Sequence, residues 1–154
     1  MTVNVSGAGI PGVVSKVQKS ITFTGATGYG AIGNVVYFTL TGAVHVVSLD
    51  AVIETSLTED AGTGVSSCSL GVVNATTLFI AAALSSVLLS TAPLWYTGTA
   101  PSANGVALDA KYKDIAIAQN IVLAVTSTGT RKVTGGVITL TVTYVPITSS
   151  GSLV

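Results

Sequence analysis

Charge is what this sequence has least of. Lysine and arginine together number 6, aspartate and glutamate 6, and charged residues make up only 8% of 154 positions. That is about a third of the usual share. Capture of nucleic acid or of an anionic membrane needs clustered basic side chains, so neither partner is expected. One cysteine, Cys68, excludes an intrachain disulfide framework and a thiolate-rich zinc site. One histidine, His45, leaves little material for proton transfer or metal ligation. Met1 to Pro11 has neither a basic segment nor a continuous apolar run, so no secretory signal is read and synthesis in a cytosol is expected. Disorder is excluded by the opposite property, a hydrophobic share of 49%.

What is present is alternation. Ile138, Leu140, Val142 and Tyr144 alternate with threonines, which predicts a strand over 137–145. Ile115, Ile117, Ile121, Leu123 and Val125 share one face of a strand expected over 115–126. The connection 127–136, with three glycines and the pair Arg131 and Lys132, reads as an exposed hairpin tip, and the two strands are expected side by side. Val17, Ile21 and Phe23 predict a first strand, with Lys19 near its start. Over 35–57 the apolar phase is even at first (Val36, Phe38, Leu40, Val44, Val46) and odd later (Val47, Leu49, Ala51, Ile53, Leu57). A strand cannot change parity without an inserted residue, so a bulge or bend is expected at Val46 and Val47, with Val44 and Leu49 both inward. Cys68, Leu70 and Val72 predict a further strand face, and Val106, Leu108, Ala110 and Tyr112 another.

The segment 61–108 carries no charge, and Thr76 to Trp95 is long enough to cross a bilayer as a helix. Six of those twenty residues are Ser or Thr, and no nearby basic residue would set orientation, so the membrane reading is set aside. A short helix through Ile80, Leu84, Val87, Leu88 and Thr91 is the lesser alternative to a strand through Phe79 followed by a long packed loop. The fold class expected is all-β, a single β-sandwich or jelly roll of six to eight mostly antiparallel strands. The organisation expected is an extended arm over 1–15, the sandwich over 16–147, and a tail over 148–154.

Candidate chemistry is thin. Gly25-Ala26-Thr27-Gly28-Tyr29-Gly30-Ala31 follows a strand and matches a variant dinucleotide fingerprint, but Asn34 to Leu40 reads as strand, and a pyrophosphate site needs a helix there. A flexible loop is expected instead. His45 has the parity opposite to its apolar neighbours and should face solvent or another subunit; Cys68 should be an inert core thiol. Of the carboxylates Asp50, Glu54, Glu59, Asp60, Asp109 and Asp114, only Glu59 and Asp60 are adjacent, and a solvated turn explains them. The sequons at Asn4 and Asn74 are expected to stay unmodified. Trp95 and Tyr96, an adjacent aromatic pair, read as a core anchor, with a sugar platform as the alternative. No catalytic, cofactor-binding or metal-ligating residue is therefore assigned.

Three stretches carry a resemblance: Lys19-Ser20-Ile21-Thr22-Phe23, the middle from Leu70-Gly71-Val72 through Phe79-Ile80-Ala81-Ala82 to Leu94-Trp95, and the ending Thr134-Gly135-Gly136 through Tyr144-Val145-Pro146. In order and pattern they resemble small structural proteins of tailed-bacteriophage virions. The resemblance covers most of the chain but contains no diagnostic motif. It implies a non-enzymatic β-sandwich that assembles on a capsid, as decoration or head fibre, or on a tail. It also implies a homo-oligomer, a trimer for choice, partnered by major capsid or tail proteins and located in the virion after synthesis in the bacterial cytoplasm. A carbohydrate-binding or adhesive module is the alternative.

Overall fold

The computed structural model describes residues 3–4, 10–84, 95 and 115–154. The chain forms strands wherever β-branched and aromatic residues alternate with small polar ones: β1 (Val3–Asn4), β2 (Ser15–Thr22), β3 (Gly33–Phe38), β4 (Leu40–Thr41), β5 (Val44–Glu59), β6 (Ser66–Val72), β7 (Ala75–Leu84), β8 (Ile115–Ile117), β9 (Ile121–Ser127), β10 (Val133–Pro146) and β11 (Ser152–Leu153). One sheet has the order β1-β2-β10-β5-β8 and the other β3-β9-β6-β7, with β11 and β4 as a small separate pair. Every pair of named strands is antiparallel. The expected all-β sandwich is what forms.

Three of these strands, β1, β4 and β11, have two residues each, which leaves eight principal strands among the described residues. Counted along the chain, the first pairs with the eighth (β2 with β10), the second with the seventh (β3 with β9), the third with the sixth (β5 with β8) and the fourth with the fifth (β6 with β7). That is one long hairpin rolled up on itself, the connectivity of a jelly roll. Between the sheets lie Phe23, Tyr37, Phe38, Phe79, Trp95 and Tyr144, all buried, among aliphatic residues from both layers. The Tyr37 hydroxyl donates to the Ile138 carbonyl oxygen at 2.9 Å, a polar tie from β3 in one sheet to β10 in the other.

The parity change in β5 has the expected cause. Thr143 faces Ser48 and Tyr144 faces Val46, so Val47 is the extra residue of a bulge, and Val44 and Leu49 are both buried. Three other expectations are corrected. The run 35–57 is three strands, β3, β4 and β5, each in a different sheet, with Gly42 at φ +67° in the turn between β4 and β5. Within β3 a second bulge, at Tyr37, turns Val35, Tyr37 and Phe38 inward and leaves Val36 42% exposed, outside the even phase assigned to it.

The run 115–126 is also two strands, β8 in the first sheet and β9 in the second. Its alternation does not betray the break, because both halves face one core. At the crossing, side chains replace ladder partners: Asn120 Oδ1 accepts from the Leu40 N–H at 2.9 Å and Gln119 Oε1 from the Asn74 N–H at 3.0 Å. Finally, β9 and β10 do not form a hairpin. Each sits inside its own sheet, β9 between β3 and β6 and β10 between β2 and β5, so neither has a free edge for the other.

A strand does run through Phe79, as β7, in place of a helix through Ile80 and Leu84. No helix among the described residues is long and apolar enough to cross a membrane. The strand expected around Val106 to Tyr112 lies outside the described residues. Ser152–Leu153, in the stretch read as a tail, pair with β4, and Leu153 is fully buried; Val3–Asn4, in the stretch read as an arm, pair with Gln18 and Val17.

Candidate functional site

The polar residues with chemical potential are dispersed over the sandwich. His45 is half-buried on β5, opposite Val145 and Ala116, on the face away from buried Val44 and Val46. Cys68 is a buried thiol of β6. Glu54 accepts the Thr139 hydroxyl proton at 2.6 Å. Thr139 then has no proton left for Ser20, 2.6 Å away, so the Ser20 hydroxyl donates to it and a ladder crosses β2, β10 and β5 on the outer face. Asp109, Asp114 and Tyr96 lie outside the described residues. Among the described residues no group of three or more His, Cys, Asp or Glu side chains converges as a metal site would require.

Glu59 and Asp60 do more than solvate a turn. Arg131 Nη1 lies 3.2 Å from Glu59 Oε2, its Nε donates to the Gly62 carbonyl at 3.1 Å, and the Ser66 hydroxyl donates to Glu59 Oε1. Asp60 Oδ1 accepts the Lys132 N–H at 3.0 Å and the Gly62 N–H at 3.2 Å. The Lys132 backbone bond, with help from the Gly62 bond and the Lys132 and Arg131 charges, holds the Asp60 carboxyl below its ordinary range. Both carboxylates are thereby spent on joining the connection 60–65 to the connection 128–132.

Among the described residues, a groove of about 510 Å³ lies where β2, an outer strand of one sheet, meets β3, the edge of the other. Pockets that take small molecules run from about 300 to 1,000 Å³. It is lined by Lys19, Ser20, Ile21 and Thr22 from β2, Gly28 and Tyr29 from the glycine loop, and Asn34 and Val36 from β3. The expected loose loop is in fact a bonded turn: the Thr24 and Gly25 N–H groups donate to the Tyr29 carbonyl at 2.8 and 3.0 Å, and the Tyr29 N–H donates to the Ala26 carbonyl at 2.8 Å. Gly28 and Gly30 have φ of +76° and +110°, a region that excludes most side chains, and a Cβ on Gly30 would run into the Val133 carbonyl oxygen. This turn holds Tyr29 out with 53% of its surface exposed.

Lys19 enters the groove for a different reason. Ser15, Val17, Ile21 and Phe23 point inward at odd positions, and Lys19 shares their parity, half-buried where the core gives out. Among the described residues its ammonium has no ion-pair partner. Sequence reasoning missed Tyr29 and Asn34 as site residues because they lie in the failed dinucleotide motif and just beyond it; the signal available was a lysine in an otherwise apolar phase. Trp95, by contrast, is fully buried and its backbone N–H donates to the Ala51 carbonyl at 3.0 Å, so it is a core anchor and no sugar platform.

The fold and this groove define a class: an antiparallel β-sandwich with jelly-roll pairing and a groove between β2 and β3. No family model, curated protein or solved structure matches the chain.

Proposed function

We propose that this chain is a non-enzymatic structural subunit of a tailed-phage virion, assembling as a homo-oligomer on the capsid, as decoration or cement, or on the tail. The observation that carries the reading is the rolled-hairpin pairing of the eight principal strands, an architecture that recurs in viral capsid and lectin domains. The step from fold to role is analogy, since folds host many functions. Surface chemistry supports it. Ile10, Val13, Val14 and Ile147 are exposed, and the Gly12 N–H donates to the Pro146 carbonyl at 3.4 Å, so the first three sit near the fourth. An apolar set of this kind is a liability on a monomer and a contact in an oligomer. A trimer remains the stoichiometry implied by resemblance.

Light scattering of the purified chain, followed by co-sedimentation with capsids or tails of the phage that encodes it, tests both halves. The expected result is a closed oligomer that pellets with one of them; a monomer that binds neither removes the reading. A second reading, an adhesive module that binds carbohydrate, is favoured by one observation, the Tyr29 groove.

A further inference from the structure

We propose that the groove between β2 and β3 binds an acidic saccharide, with a pyranose face resting on the Tyr29 ring and the sugar carboxylate at the Lys19 ammonium. The inference rests on the adhesive reading.

Three properties of the lining select this chemistry. Tyr29 presents an exposed aromatic face on a turn whose backbone bonds are already made, so little main-chain freedom is lost on binding. Aromatic faces carry partial negative charge and meet the polarised C–H groups of a sugar favourably. Asn34 offers an amide with donors and an acceptor, the complement of adjacent sugar hydroxyls, and it stands exposed on the opposite wall. Lys19 is the only charged lining residue among the described ones, and a neutral ligand covering it would strip water from an ammonium and give nothing in return. A carboxylate restores what the water supplied.

A simpler role for Lys19 is to guard a sheet edge, since β1 covers only Val17 and Gln18, and Ser20 to Thr22 have no strand on that side among the described residues. A guard needs charge alone. It does not need an exposed tyrosine and an amide around the same hollow, and these favour a binding site.

The test uses the full chain labelled with 15N and titrated with digalacturonate and with the neutral digalactoside of the same linkage, reading amide shifts. Digalacturonate is expected to shift residues 19–22, 28–30 and 34–36, more weakly as salt is added. Lys19→Gln should weaken it about tenfold or more and erase the preference over the neutral sugar. Tyr29→Ala should abolish both, and circular dichroism confirms that each variant is folded. Equal binding of the two sugars, unaffected by Lys19→Gln, overturns the acidic specificity but keeps the adhesive reading. No shift with either sugar overturns both. Shifts at 19–22 that grow with protein concentration alone mean that a strand from another copy occupies the edge, and this too overturns the proposal.

Discussion

Replacing Tyr37 by phenylalanine removes one oxygen from the interface between the sheets and changes almost no volume. The tyrosine is fully buried, and its hydroxyl donates to the Ile138 carbonyl at 2.9 Å. A buried hydrogen bond contributes about 0.5–1.5 kcal/mol net, and an acceptor left short of a partner costs about 1–3 kcal/mol. Backbone carbonyls have a second lone pair, so Tyr37→Phe is expected to cost about 1–2 kcal/mol in urea denaturation, with an unchanged m-value, or roughly 3–6 °C in Tm. The same substitution has a signature in alkali. Burial, followed by the neighbouring Cys68, raises the Tyr37 hydroxyl well above the usual tyrosine range. Above about pH 10 the unfolded tyrosine loses its proton while the folded one keeps it. The unfolded state then binds fewer protons, and stability falls as pH rises, by at most about 1.4 kcal/mol per pH unit from this group. The wild-type protein should therefore lose stability faster than Tyr37→Phe above pH 10, and the two curves should converge. A cost below about 0.3 kcal/mol at neutral pH, or parallel curves in alkali, would show that the tie between sheets has been misjudged.

Gly30→Ala should destabilise by about 3 kcal/mol or more, because it adds a clash with the Val133 carbonyl to an unfavourable φ, whereas Gly28→Ala, with nothing within 4 Å, should cost about 1–2 kcal/mol; urea titration of both separates clash from strain. Deleting Val47 removes only the bulged residue and should leave a folded protein, whereas deleting Val52 reverses the facing of half of β5 and should abolish cooperative unfolding. Asp60 has a folded pKa below its unfolded value, so its contribution is present above about pH 4 and lost as pH falls further; Asp60→Asn should flatten the acid limb of a stability–pH profile and do nothing in alkali. Trp95, the single tryptophan, should resist iodide quenching until the chain unfolds, and saccharides should leave its fluorescence unchanged.

The parity break at Val47 was legible because a bulge leaves its mark in the order of residues: Val44 and Val46, then Leu49 and Ala51, must all reach one core. The break between β8 and β9 left no such mark. Ile117 and Ile121 are both buried against the same interior from opposite sheets, and alternation reports facing but not partnership. Pairing of β10 with β2 and β5, at the expense of β9, is a property of the whole roll and is written in no local window. The groove was not read from the sequence. Lys19 interrupts the apolar phase of Val17 and Ile21, a signal that went unused, and Tyr29 and Asn34 join it only when the two sheets close on one another.

The rolled pairing also sets an order of events during synthesis. The β6–β7 hairpin closes across Val73 and Asn74 and can form as soon as it is made. β2, however, finds its partner between Ser15↔Tyr144 and Thr22↔Val137, more than a hundred residues away, and β10 also supplies the inner neighbour of β5. Closing so long a loop is slow but only modestly more costly than closing a short one, since the cost grows with the logarithm of its length. Until the ribosome has released residues 133–146, β2 and β5 each have an unpaired flank, and the first sheet cannot exist. A nascent chain stalled before residue 133 would thus expose two long strand edges to its neighbours, so truncation near the C-terminus should yield aggregates and not a smaller domain.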